Sequence, residues 1–257
     1  MKTIVLFDMD GTLTPPREKL SPSMSRCLSR LQTAGIEIGI VTGSDLNYLE
    51  EQCELLFEFG GPDITQIHFL PCNGTKYYRF DRQWQLVKKV DMIENIGKDS
   101  YKNLLSRCMR LQQKCVDTTV DLEYTGNFFD YRGSVLNWCP IGRSCTKEQR
   151  KQFVRYDNHT NLRENYLKIL RNESKEYGFD NCTFALGGES SFDIYPNGWD
   201  KTFALQYFKD YDVFFVGDRC HPNGNDYTIY EACKDKGFKT DGPETTKKII
   251  QKLISGT

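Results

Sequence analysis

The chain has 257 residues, enough to bury a sizeable core as one large domain or two modest ones. Its 34 Lys and Arg nearly balance 35 Asp and Glu, which excludes a global field that would attract nucleic acid or an anionic membrane. No apolar stretch is long enough to span a bilayer, the N-terminal apolar run is too short for a secretion signal, and the ten cysteines include no Cys-x-x-Cys pair, so a cytoplasmic, reducing setting is expected.

Residues 4–7 are short and wholly apolar, as expected of a strand buried on both faces of a parallel sheet. Ser21-Pro22 predicts a helix start, and Gly35 its stop. Residues 36–41 read as a second buried strand, Asp45 as the cap of the next helix, and residues 67–70 as a third strand. Strands alternating with helices predict right-handed crossovers and a doubly wound sheet. From about Phe80 the rhythm changes. A hairpin is expected over 77–80 and 84–87, a helix over 100–115, strands near 120–124, 128–132 and 134–138, and a charged helical stretch from Lys147 to Tyr177. After Gly187-Gly188 the alternation is expected to return, with a strand at 192–195, a helix from Asp200, a strand at 213–216 and a terminal helix from Pro243. The predicted organisation is a discontinuous α/β core, residues 1–80 plus 187–257, with an α+β cap over 81–186.

The chemistry begins at Asp8, a carboxylate at the carboxyl end of the first buried strand, where open α/β sheets place ligands. Asp10 follows two residues on, and Gly11 permits a sharp turn that lets both acids face one site. One carboxylate can attack phosphorus to give an aspartyl-phosphate, and the other can exchange the proton of the leaving oxygen.

Asp8-Met9-Asp10-Gly11-Thr12-Leu13 resembles the first motif of the haloacid dehalogenase superfamily, and the later elements occur in order. The resemblance implies a Rossmann-like core in which Thr42 or Ser44 binds the transferring phosphoryl group and Lys201 neutralises it. It also implies that Asp8, the Asp10 carbonyl and Asp218 hold magnesium, a hard cation that takes oxygen ligands. Two further stretches are more specific. Arg132-Gly133-Ser134-Val135-Leu136-Asn137-Trp138-Cys139-Pro140-Ile141-Gly142-Arg143-Ser144-Cys145, and Gly187 through Phe192-Asp193 to Gly198-Trp199-Asp200-Lys201, resemble signatures of the eukaryotic phosphomannomutases.

That family implies interconversion of mannose 6-phosphate and mannose 1-phosphate for GDP-mannose synthesis. It works through a phospho-aspartyl enzyme and a hexose bisphosphate intermediate, with hexose 1,6-bisphosphate as primer and a homodimer through the cap. By the same resemblance Arg143, with Arg132 and Arg150, holds the non-reacting phosphate, a task suited to arginine's planar fork. Arg17 assists from the core, and Ser191 and Asp193 bind sugar hydroxyls. Ala232 departs from the pattern by replacing an aspartate, so no second cation site is expected. The competing expectation is a sugar-phosphate phosphatase with the same kind of cap.

Overall fold

In the computed structural model, which describes residues 1–58, 61–119, 121–222 and 224–256, the apolar N-terminal run forms β1 (Lys2–Phe7), with Ile4 to Phe7 fully buried. Helix α1 (Pro22–Thr33) starts where Ser21 accepts a hydrogen bond from the Met24 amide at 3.2 Å, with Pro22 in the first turn. It buries Met24, Leu28 and Leu31, one helical face at spacings of four and three. Then come β2 (Glu37–Val41), α2 (Leu46–Gln52) and β3 (Ile67–Leu70). Asp45 caps α2 by accepting from the Tyr48 amide at 3.1 Å.

The hairpin β4 (Lys76–Asp81) and β5 (Gln83–Lys89) pairs antiparallel with β3, through Phe69 and Tyr78. It therefore extends the core sheet. Trp84 anchors it, meeting Phe57, Phe69 and Phe80 at ring-centroid distances of 5.5, 4.9 and 5.2 Å.

The next unit holds α3 (Met92–Ile96), α4 (Lys98–Thr118), β6 (Phe129–Tyr131), β7 (Leu136–Trp138), α5 (Lys147–Thr160), α6 (Leu162–Glu173), β8 (Cys182–Gly187) and β9 (Ser191–Pro196). Its strands form one antiparallel sheet in the order β6-β7-β9-β8. Trp138 is its core, stacked on Phe192 at 4.4 Å, Phe129 at 5.8 Å and Tyr166 at 5.9 Å. Of the strand expected near 120–124, Val120 lies outside the described residues and 121–124 form no strand. The charged stretch from Lys147 is two helices, broken where Asn161 takes the left-handed conformation (φ 54°).

The chain then returns with β10 (Tyr211–Gly217), α7 (Tyr227–Cys233), β11 (Gly237–Lys239) and α8 (Pro243–Ser255). The core sheet runs β11-β10-β1-β2-β3-β4-β5, with the first five strands parallel. In place of the helix expected from Asp200, residues Lys201–Phe208 form a 3-10 helix, capped by Asp200 at the Thr202 amide (2.8 Å).

The compact units are Met1–Lys89 with Trp199–Thr257, and Val90–Gly198. The core's first segment therefore runs to Lys89 where 80 was expected, and its second begins at Trp199 where 187 was expected. The hairpin is an antiparallel edge of the core sheet. The strand expected at 192–195 as the core's return is β9, hydrogen-bonded to β7 and β8 in the cap. All ten cysteines are free thiols.

Candidate active site

Three parallel strands are each followed directly by a residue singled out from sequence: β1 by Asp8, β2 by Thr42 and β10 by Asp218. Beyond Asp8 the backbone curls around the Met9 carbonyl, which accepts from the amides of Thr12 (3.2 Å), Leu13 (2.9 Å) and Thr14 (3.1 Å). Gly11 is required twice over. Its φ is +80°, and a Cβ there would overlap Asp218 Oδ2.

Asp8 is buried, and one of its oxygens accepts a short hydrogen bond from Lys201 Nζ. Lys201, itself fully buried, donates also to Asp226 Oδ1 at 2.6 Å. Asp226 Oδ2 in turn accepts from the Arg219 amide at 3.0 Å. Carboxylate oxygens of Asp8, Asp218 and Asp226 lie within 4.8 Å of one another. Burial, followed by the Asp226 carboxylate, pushes Asp8 up to about 8 against the pull of Lys201. Asp218 is raised by the same two causes. For Lys201, burial opposes the charge, but Asp226 and Asp8 outweigh it and hold the ammonium charged.

Three carboxyl groups share the Lys201 ammonium, with the Arg219 guanidinium 4.0 Å from Asp218, and such an all-oxygen setting is the donor chemistry that suits a hard divalent cation. The residues therefore fit magnesium. Asp226, absent from the expected ligand set, is part of this group. Its only sequence signal was the Asn225-Asp226 pair beyond the strand-ending Asp218. His221 stands apart, with Nδ1 2.9 Å from the Pro222 carbonyl.

Asp10 faces a different set of partners. Its Oδ1 accepts from the Arg17 amide at 2.8 Å and from the Tyr48 hydroxyl at 2.9 Å. Arg17 reaches this place with φ at +62°, and its side chain is exposed. Burial and the Asp10 carboxylate raise Tyr48, so its phenol keeps its proton. Thr42 is buried and its Oγ accepts from the Ser44 amide at 3.2 Å, which places both hydroxyl residues in the turn after β2.

The cap unit has its own polar network. Asn137 on β7 is 3% exposed, and its Oδ1 accepts from Arg143 Nη1 at 2.6 Å. Its Nδ2 donates to Asp193 Oδ1 at 2.7 Å and is 3.2 Å from Ser191 Oγ. Asp130 Oδ2 takes Arg132 Nε at 3.0 Å and lies 3.5 Å from Arg143 Nε. Arg150 reaches the neighbouring Ser190 Oγ at 3.4 Å. The structure thus brings Arg132, Arg143, Ser191 and Asp193 into one network with Arg150 beside it. Sequence reasoning missed the connectors Asn137 and Asp130. The alternation of β7, which turns Asn137 to the same strand pairing as Asp193, was the signal available.

Among solved structures, the chain resembles a Plasmodium falciparum IMP-nucleotidase (13% identity, TM-score 0.65, covering 98% of this chain and 68% of that one). It also resembles an Aspergillus fumigatus trehalose-6-phosphate phosphatase (16%, TM-score 0.53, 99% and 93%). At such identities these matches establish the fold: an α/β core with an inserted cap. Sequence relatives are nearer. Phosphomannomutases from Dendrobium officinale (34% identical, covering 95% of this chain and 90% of the relative) and Schizosaccharomyces pombe (33%, 99% and 95%) match almost end to end. The family model described as eukaryotic phosphomannomutase matches residues 24–256. With that match and these relatives, the chain belongs to the eukaryotic phosphomannomutase family.

Proposed function

We propose that the protein is a phosphomannomutase that interconverts mannose 6-phosphate and mannose 1-phosphate and so supplies GDP-mannose synthesis in the cytoplasm. The observation that carries this reading is the group formed by buried Asp8, Lys201 and Asp226 with half-buried Asp218, joined to membership of the family. Asp8 is the nucleophile. Phosphorylated Asp8 gives its phosphoryl group to a hexose monophosphate, and the resulting bisphosphate returns its other phosphate to Asp8. Asp10 gives a proton to the leaving sugar oxygen and takes one from the attacking hydroxyl. Lys201 holds one Asp8 oxygen and offsets charge on the transferring group, with a hydroxyl from Thr42 or Ser44 as a further ligand for it.

Asp8, Asp218, Asp226 and the Asp10 carbonyl would hold magnesium, which when bound supplies charge neutralisation for the phosphoryl oxygens. Arg143, Arg132 and Arg150 are assigned to the phosphate that does not react, Ser191 and Asp193 to sugar hydroxyls, and Arg17 to the core side. Asn137 holds Arg143 and Asp193 in one frame, which supports a preorganised anion receptor. Hexose 1,6-bisphosphate serves as primer, and two copies pair through the cap unit.

The test is product analysis from mannose 1-phosphate with magnesium and a hexose bisphosphate. Mannose 6-phosphate is the expected product, whereas free mannose with inorganic phosphate would make the protein a phosphatase. Asp8→Asn is expected to lower turnover by on the order of 10³-fold or more and to abolish phosphoenzyme formation. Retained phosphate labelling in that variant would remove Asp8 as nucleophile.

A further inference from the structure

Helix α2 does more than link two strands of the core. Its third residue, Tyr48, is fixed through its amide by the Asp45 cap, and the helix is anchored by buried Leu49. At its end, Cys53 Sγ lies 3.9 Å from Met9 Sδ, the residue between the two catalytic candidates. That packing delivers the Tyr48 hydroxyl to Asp10 Oδ1, the oxygen that also receives the Arg17 amide.

A carboxyl that donates a proton has one oxygen bearing hydrogen and one that accepts. Two donors on the same oxygen fix which is which. We propose that Tyr48 is a positioning residue for proton transfer: with the Arg17 amide it occupies Asp10 Oδ1, so that Oδ2 carries and delivers the proton. This inference rests on the assignment of Asp10 as the acid in the proposed reaction. In the step concerned, an Asp8 oxygen bonds to phosphorus and the bond from phosphorus to the sugar oxygen breaks. The electron pair left on that oxygen takes the proton from Asp10 Oδ2, and Asp10 is left as carboxylate. Tyr48 keeps its proton throughout. Without it, Asp10 retains one donor in place of two and can rotate its protonated oxygen away from the leaving group.

Two phosphoryl donors separate positioning from general damage. From a hexose bisphosphate the departing group is the alkoxide oxygen of a hexose monophosphate, which needs the proton, whereas from acetyl phosphate it is acetate, which does not. Single-turnover phosphorylation of Asp8 in the full-length Tyr48→Phe variant is expected to slow about 10- to 100-fold from the hexose bisphosphate, a fraction of what a general acid contributes, and to change less than about twofold from acetyl phosphate. Equal losses from both donors, whether from misfolding or a purely structural role, overturn the proposal, as does no loss from either. Asp10→Asn run alongside tells the two readings apart. If it shows the donor selectivity and Tyr48→Phe does not, the positioning role alone falls. If Asp10→Asn itself shows no selectivity, the assignment of Asp10 as acid falls, and the positioning role with it.

Discussion

At one end of the sheet's strands Lys2, Glu37, His68 and Arg79 close on one another, while at the other Asp8, Asp218 and Asp226 gather around one lysine. The same strands carry both. Near the amino ends, Glu37 accepts from Lys2 at 2.9 Å and from Tyr211 at 3.2 Å, and sits 3.0 Å from His68 Nε2. Burial acts against Glu37, but the hydrogen bonds from Lys2 and His68 outweigh it and hold the carboxyl below its ordinary range. His68 is pushed down to about 4 by burial and then by the Arg79 guanidinium, so its contact with Glu37 at neutral pH is a hydrogen bond and not an ion pair. Tyr77 completes the ring at Nδ1, 2.7 Å away. Glu37 is paired with Lys2, and the Arg79 guanidinium is held by the His68 ring and the Thr65 carbonyl. At the carboxyl ends three carboxyl groups face one buried lysine, with Arg219 beside Asp218 alone, and the same burial raises Asp8 and Asp218. Closed networks hold a fold together, whereas a network left short of positive charge is poised to take a ligand.

The largest effect that could break this contrast comes from Asp218→Asn. If the carboxyl-end group is a cation site, activity should fall by on the order of 10³-fold, the several kcal/mol that a bound metal supplies. Magnesium should also no longer raise Tm, where the unaltered chain gains about 2.7 kcal/mol at a hundred times the dissociation constant. A magnesium-dependent rise that survives in the variant would put the cation elsewhere. The next effect belongs to His68. A folded value of about 4 against 6.5 means that the unfolded chain binds more protons between those limits. The stability this histidine contributes is therefore present above pH 6.5 and is lost as the pH falls to 4. Converted at 1.36 kcal/mol per unit, the shift is worth about 3 kcal/mol as an upper bound. Urea midpoints measured from pH 7.5 to 4 should fall less steeply in His68→Gln than in the unaltered chain, and parallel curves would refute the burial argument. The smallest effect is Lys2→Ala. The lysine is 69% exposed, and its pair with Glu37 is screened by water, so Tm should not move beyond the error of the measurement.

Much of the core was legible because its signals are local. The all-apolar run 4–7 and the run 67–70, apolar but for His68, read as buried strands, and Ser21-Pro22 and Asp45 gave their helix starts through caps that use only neighbouring atoms. Asp8 and Asp10 stood out for the same reason, just beyond an apolar strand, whereas Lys201 and Asp218 stood out only through the resemblance to the superfamily's motifs. The unit boundary was not. Residues 191–196 read as a strand, but the partner of a strand is set by pairing at a distance, and β9 pairs with β7 more than fifty residues back. Tyr48, Asp226 and Asn137 escaped for a related reason. A tyrosine on a short helix, an acid in a loop and an asparagine in a strand acquire their roles only when the fold brings Asp10, Lys201 or Arg143 against them.

The pairing of β1 with β10, Lys2 opposite Tyr211 through Phe7 opposite Val216, has a consequence for how the chain is made. The first strand leaves the ribosome roughly two hundred residues before its neighbour on that side, a delay of about 10–40 s at ordinary elongation rates of about 5–20 residues per second. Throughout that interval Ile4, Val5, Leu6 and Phe7 have β2 to pair with on one side and nothing on the other. The unit from Val90 to Gly198 is contiguous and meets no such wait. The nascent chain therefore carries a finished insert beside an open, apolar sheet edge, and that edge is where a chaperone would be expected to bind during synthesis.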